Sequence, residues 1–190
     1  VISVELLLNG ISNTVSFGKD VGYASYDKYD QFQNIMYPIA DTVKDGDSSF
    51  YRWEKTVYRK TNENMQFGIR GLSNSTSTLD ASTIQLLNTM GYAARAQWSI
   101  YLGGNPVSDS LLGIKYLITD RDMSEFYGEP VYTAEDFAKH EGMSVEELIE
   151  KTLADNSGSE TYSGKSAADY VVYKNPYAMS IAFASSHDVI

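Results

Sequence analysis

DSLLGIKYLITDRD, residues 109–122, begins with two small polar residues, runs into an apolar segment and ends in Asp-x-Asp. The apolar part reads as a core strand entered from a short turn. The ending carries two readings. An Asp-x-Asp after an apolar strand is where one large class of nucleotide-sugar transferases holds a divalent cation, because two carboxylates on a turn can bridge metal and diphosphate. Asp120 and Asp122 sit in that position and are the candidate metal ligands. Yet the motif is only two residues, acidic residues commonly form turns at strand ends, and no glycine-rich nucleotide-binding half precedes it. TDRD is therefore assigned to turn chemistry, and no cofactor is expected.

Working outward, SSFYRWEKTVYRK (48–60) alternates Phe50, Arg52 and Glu54 against Tyr51, Trp53 and Lys55, the pattern of a half-buried strand. NMQFGIRGL (64–72) reads as its partner across the TNEN turn. Upstream, DQFQNIMYPIADTVKDGD (30–47) places Phe32, Ile35, Met36 and Ile39 at helical spacing, with Pro38 as a kink position and Gly46 as a stop. The preceding SNTVSFGKDVGYASYDKYD (12–30) reads as loop.

STLDASTIQLLNTMGY (77–92) is the clearest helix, with Ile84, Leu86, Leu87 and Met90 as its apolar face and Gly91 as its end. AQWSIYLGG (96–104) reads as a short strand or loop. TAEDFAKHEGMSVEELIEKTLADN (133–156) carries two capping boxes, Thr133 with Asp136 and Ser144 with Glu147, which predict two short helices. DNSGSETYSGKSA (155–167) reads as a flexible loop, and ADYVVYKNPYAMSIAFAS (168–185) as two β-rich runs around an Asn175-Pro176 turn. The order of elements implies a mixed α/β (α+β) fold, one mixed β-sheet packed with helices.

The 190 residues fit one domain, and 43% hydrophobic with 13% aromatic residues excludes a disordered chain. Fifteen tyrosines against seven phenylalanines imply large core side chains that keep a polar tip satisfied. A net charge of −10 argues against nucleic acid and against docking on a naked anionic membrane. The absence of cysteine removes disulfides, thiol nucleophiles and thiolate metal sites, and two histidines leave any metal site mostly to carboxylates. No apolar run approaches the roughly 20 residues of a membrane span. VISVELLLNG (1–10) lacks the basic start and cleavage site of a signal peptide, and with Val1 first and IAFASSHDVI last the chain is expected to be a piece of a longer one.

Other motifs reduce to structure. In GSETYSGKS, Gly158 and Gly164 enclose five residues where a phosphate-binding loop has four. Ser, His and Asp in SSHD (185–188) are sequence neighbours, whereas a catalytic relay assembles from separate segments. His140, between two capped helices, reads as a solvated surface residue. On a strand, Arg52, Glu54 and Phe50 share a face, which gives either a cross-strand ion pair beside an aromatic or an arginine that grips phosphate or carboxylate.

Three segments taken in order, SSFYRWEKTVYRKTNENMQFGIRGLSNSTSTLD (48–80), DSLLGIKYLI (109–118) and VVYKNPYAMSIAFA (171–184), resemble the extracytoplasmic region of YfhO-type bacterial membrane proteins. Members typically read Phe-Tyr-Arg-x-Glu-Lys, then Gly-Ile/Leu-Ser-x-x-Ser-Ser/Thr, then Asp-Ser-Leu-Leu-Gly-Ile-Lys-Tyr, then Asn-Pro-Tyr-Ala-Leu-Pro-Leu-Gly-Phe. Two departures stand out. Asn74-Ser75 replaces the His-Phe frequent in relatives, so no role of that histidine carries over, and the run from Met179 to Phe183 lacks the second proline and the glycine.

The resemblance implies a polytopic parent similar to GT-C-like glycosyltransferases that use lipid-linked sugars. Such proteins are associated with adding sugars from a polyprenyl-phosphate donor to lipoteichoic acid or related envelope polymers of Gram-positive cells. The general base that activates an acceptor hydroxyl is then expected in the membrane core and outside residues 1–190, which leaves this part without catalytic residues. Under this reading 1–190 is a single extracytoplasmic domain, with 1–22 a membrane-proximal lead and 133–156 a helical insertion. Its expected partners are the parent membrane domain and an envelope polymer or polyprenyl-phosphate sugar. If a carbohydrate site exists in this part, the candidate substrate-binding residues are Tyr51, Trp53, Trp98 and Tyr101 as stacking platforms, with Arg52 for phosphate and Glu54 beside it; the favoured alternative is that most of these aromatics are core. The rival readings are a purely structural or protein-interaction module, and a metal-dependent transferase built on Asp120 and Asp122.

Overall fold

A computed structural model describes residues 2–20, 25–156 and 160–180 of the chain. The chain divides into two compact units, Val1–Asp30 and Gln31–Ile190.

The first unit carries α1 (Ile2–Asp20). The loop expected from residue 12 onward is thus helical as far as residue 20. Its polar side chains close onto the helix itself: Thr14 Oγ1 donates to the Gly10 carbonyl at 2.8 Å, and Asn13 Nδ2 to Asn9 Oδ1 at 3.2 Å. Such residues weaken a helix by only tenths of a kcal/mol each. Residues 21–24 of that expected loop lie outside the described residues, and α2 (Tyr26–Gly46) starts six residues before Phe32, the first residue of the apolar periodicity. Gly46 ends α2 as expected. Pro38 falls inside it, where its ring nitrogen cannot donate to the helix.

In chain order there follow β1 (Arg52–Lys55), α3 (Glu63–Gln66), β2 (Asn74–Ser75), α4 (Ala81–Thr89), β3 (Ala93–Arg95), β4 (Trp98–Ile100), α5 (Pro106–Leu111), β5 (Ile114–Thr119), α6 (Ser124–Tyr127), α7 (Ala134–Glu141), α8 (Val145–Thr152) and β6 (Val171–Lys174). The fold is mixed α/β. Its central sheet has the order β1-β5-β6, with β1 parallel and β6 antiparallel to β5. A second sheet, β2-β4-β3, is antiparallel, so the single sheet expected from the sequence is accompanied by a smaller one.

DSLLGIKYLIT supplies the middle strand. Its apolar run is buried on both faces, which is why it lacks polar alternation. Tyr116 and Ile118 join Trp53 and Val172 in a core with Phe32, Ile35, Met36 and Ile39 of α2, Phe137 of α7 and Leu148 of α8. Ile114 and Leu117 point the other way, into a core with Leu87 of α4, Tyr92, Tyr101 and Tyr173. The entry to the strand is α5, a full helical turn and more. Asn105 caps it by accepting from the Val107 and Ser108 N–H groups at 3.1 Å each, Pro106 occupies its first turn, and Gly113 at φ +69° turns the chain into β5.

β1 is four residues long and buried on both faces, so its polar alternation does not mark a wet side. NMQFGIRGL does not pair with it. That segment forms α3 and an irregular stretch, and β1 pairs instead with β5. The capped helices form at Thr133 and Ser144 as expected: Ser144 and Glu147 exchange bonds of 2.8 and 3.2 Å, and Asp136 accepts from the Thr133 N–H at 2.9 Å. α4 also forms as expected, but Leu86 on its nominal apolar face is 53% exposed, and Leu87 alone is fully buried. The loop after α8 is held down at Tyr162, whose ring packs 5.0 Å from Phe32; its residues 157–159 lie outside the described residues. Of the last two β-rich runs, the first is β6 and the second falls largely outside the described residues.

Candidate functional site

Glu54 and Lys55 are adjacent on β1 and both are fully buried. The strand sends them to opposite faces. Glu54 meets the chain that follows α3. Its carboxylate accepts from the Leu72 N–H, from the Ser73 N–H at 2.7 Å, from Asn64 Nδ2 at 3.1 Å and from the Tyr58 hydroxyl at 3.3 Å. Gly71 is required here, since a Cβ at that position would stand 2.2 Å from Glu54 Oε1. Burial pushes the Glu54 carboxyl upward, with the Ser73, Asn64 and Lys55 interactions pulling against it.

Lys55 Nζ reaches the Val57 carbonyl at 3.0 Å and Glu63 at 3.4 Å, and lies 4.0 Å from the centre of the Tyr58 ring. Burial lowers its pKa while Glu63 and Glu54 raise it. Glu63 also accepts from the Arg59 and Lys60 N–H groups at 2.9 and 2.6 Å. Every charge in this cluster is enclosed by partners, the condition for holding ions away from water.

A second hub lies on the other core. Asp109 of α5 is 1% exposed, and three phenols donate to its carboxylate: Tyr92 at 2.6 Å, Tyr101 at 2.7 Å and Tyr127 at 2.6 Å. Burial, joined by the Asp109 charge, pushes all three phenols well above the usual tyrosine range. Ser73 links the two hubs, bonding the Tyr58 hydroxyl at 2.9 Å and accepting from the Tyr101 N–H at 2.9 Å.

Between the hubs opens a cleft of about 310 Å³. Thr56, Tyr58, Tyr101 and Leu117 line it together with the Leu102–Gly104 loop and Arg121. No carboxylate is among its described lining residues.

The candidate residues from the sequence scatter relative to this cleft. Tyr51 and Trp53 are core residues whose ring centroids stand 6.3 Å apart edge to face, which leaves neither ring a free face for a sugar. Arg52 spends its guanidinium on the Leu112 carbonyl at 2.8 Å and makes no ion pair with Glu54. Trp98 is half-buried on β4, with the Arg95 guanidinium 5.8 Å from its ring. Tyr101 alone of the set lines the cleft, and its hydroxyl is committed to Asp109.

Asp120 pairs with Lys165, and Asp122 accepts from the Ser124 N–H at 2.9 Å and the Tyr173 hydroxyl at 3.2 Å. No group of three or more potential metal ligands occurs among the described residues. Both carboxylate hubs accept their hydrogen bonds from the chain's own donors. Sequence reasoning missed Asp109, Tyr58 and Arg121. The surplus of tyrosines was the available signal for Asp109, because buried phenols require an acceptor.

A family model described as bacterial membrane protein YfhO matches residues 1–189. The chain belongs to the YfhO family. The match embraces α1 as well as both cores, so the membrane-protein assignment covers nearly the whole of this YfhO-family chain. Neither the curated proteins nor the solved structures yield a match. No described helix is long and apolar enough to cross a membrane.

Proposed function

We propose that this YfhO-family chain is the extracytoplasmic part of a polytopic, glycosyltransferase-like membrane protein acting in envelope-polymer glycosylation, and that it shapes the acceptor side without catalysing transfer. The observation that carries the non-catalytic role is the closure of its charges. Arg52, Glu54 and Lys55 of FYRWEK, and Asp109 of DSLLGIKY, all hold structural partners, and the segments containing them build the centre of the fold.

The membrane-proximal role of the lead draws on α1. Ile2, Leu6, Leu7, Leu8, Ile11 and Val15 are exposed on a helix whose only charge before Lys19 is Glu5. Exposed apolar surface of that extent marks contact with lipid or with other apolar helices. The same surface also suits docking of a second membrane subunit, the interaction-module reading.

The test is made in the intact parent protein. Removal of residues 31–180 with α1 retained is expected to leave the parent in the membrane and to abolish sugar addition to its polymer. Unchanged glycosylation after removal would overturn the proposal.

A further inference from the structure

One end of the central sheet gathers apolar side chains that the fold does not bury. β1 runs parallel and β6 antiparallel to β5, so the start of β1, the start of β5 and the end of β6 share that end. Hydrogen bonds draw the flanking segments together there. The Arg52 N–H donates to the Gly113 carbonyl at 3.2 Å and its guanidinium to the Leu112 carbonyl at 2.8 Å. Beyond β6, the Met179 N–H donates to the Ser110 carbonyl at 2.9 Å. The last turn of α5 is thus tied both to β1 and to the segment after β6.

Phe50 just before β1, Val107 on α5 and Tyr177 just after β6 are 69%, 70% and 72% exposed among the described residues. Leu111, half-exposed, lies four residues after Val107 and so on the same face of α5. The backbone that carries these side chains is anchored from beneath. Ser108 and Asp109 of α5 are buried, and the buried Asn175 donates to Ser110 Oγ at 3.1 Å and to the Ile114 carbonyl at 3.2 Å. The exposed apolar groups therefore stand on a fixed platform.

The chain as a whole has a net charge of −10, yet this end is locally cationic. The Arg70 guanidinium lies 4.9 Å from the centre of the Phe50 ring, and Lys174 closes β6. Both are exposed, and neither enters an ion pair among the described residues. Asp47, the acid bonded at this end, is taken by Lys115. Aromatic and aliphatic tips accompanied by arginine and lysine suit the boundary between lipid headgroups and acyl chains. We infer that this end of the sheet docks on an anionic phospholipid surface. Phe50, Val107, Leu111 and Tyr177 enter the interface, and Arg70 and Lys174 meet the lipid phosphates. A second copy fits less well, because a two-fold contact would set the same cations against each other. The inference draws on membership of a membrane-protein family and not on the acceptor-side reading.

The chain has no cysteine, so single labelling sites can be introduced. Val107→Cys and Tyr177→Cys place an environment-sensitive fluorophore at the docking end, and Arg121→Cys places it two residues beyond the far end of β5. The full chain, α1 included, is mixed with vesicles of phosphatidylcholine and phosphatidylglycerol, with and without brominated acyl chains. The labels at 107 and 177 are expected to shift to the blue and to be quenched by the brominated lipid, and the label at 121 to do neither. Added salt should weaken the effect, since part of the attraction is charge.

Arg70→Gln with Lys174→Gln is expected to weaken binding to the anionic vesicles roughly thirtyfold, the loss of two cations at a charged surface. Phe50→Glu with Val107→Glu, carried with the label at 177, should remove the quenching of that label. Both pairs change exposed side chains and should melt with the parent chain. The inference is overturned if the labels at 107 and 177 stay unquenched, if the label at 121 is quenched as strongly, or if either pair of substitutions has no effect. A blue shift that needs no lipid and grows with protein concentration would overturn it in favour of a second copy. None of these results bears on whether removing residues 31–180 abolishes glycosylation in the parent, so the two proposals fail separately.

Discussion

Replacing Asp109 by alanine should be among the most damaging single changes in the chain. The carboxylate is 1% exposed and accepts three phenolic hydrogen bonds of 2.6–2.7 Å. A hydrogen bond to a charged group contributes about 1.5–3 kcal/mol. Summing three would overcount, because the phenols share one acceptor and the ion's own burial is a cost. Removing one member of such a buried set typically costs about 3–5 kcal/mol, and that range is expected for Asp109→Ala. At a few degrees per kcal/mol for a domain of this size, the melting temperature should fall by roughly 10 °C.

Urea unfolding followed by far-ultraviolet circular dichroism measures the loss, and single Tyr→Phe changes at positions 92, 101 and 127 apportion it. Each phenol removal is expected to cost about 1–2 kcal/mol. Pairs of them should be non-additive, since every partner acts on the same carboxylate. A loss below about 1 kcal/mol for Asp109→Ala would refute the hub.

Gly71→Ala forces a methyl against Glu54 and Asn64 and should cost about 1–3 kcal/mol in the same unfolding assay, whereas Gly10→Ala, with open space around it, should cost nothing. Asp47 ties the end of α2 to β5. Burial opposes its charge, but bonds from Lys115, Ser49 and Tyr116 prevail and hold its pKa well below the ordinary 3.8. A depressed folded pKa stabilises the fold above the unfolded value and loses that contribution as pH falls below it. Asp47→Asn should therefore flatten the decline of melting temperature below pH 4 while lowering stability at pH 7. Leu7→Glu with Ile11→Glu in α1 should abolish flotation of the chain with neutral phosphatidylcholine vesicles, measured by sedimentation, and leave the melting of the second unit unchanged.

The central strand was legible because burial on both faces leaves an unbroken apolar run, and DSLLGIKYLIT has one. The two helices at Thr133 and Ser144 were legible because their caps are written in adjacent residues. β1 misled for a physical reason. Alternating polar residues ordinarily mark a wet face, but here Glu54 and Lys55 find internal partners supplied by residues 57–73, a distance in sequence that pattern reading cannot span. The same limit hid the Asp109 hub, whose phenols come from β3's approach, β4's exit and α6. Arg121 was read only as part of a turn, and the salt-bridge partner of its neighbour Asp120 is Lys165, 45 residues away.

The most direct test of the central claim is sugar transfer by the purified chain itself. With a polyprenyl-phosphate sugar as donor, polyglycerol phosphate as acceptor and manganese present, the expected result is no product above a protein-free control. Turnover that disappears in Asp120→Ala or Asp122→Ala would contradict it and place catalysis within residues 1–190.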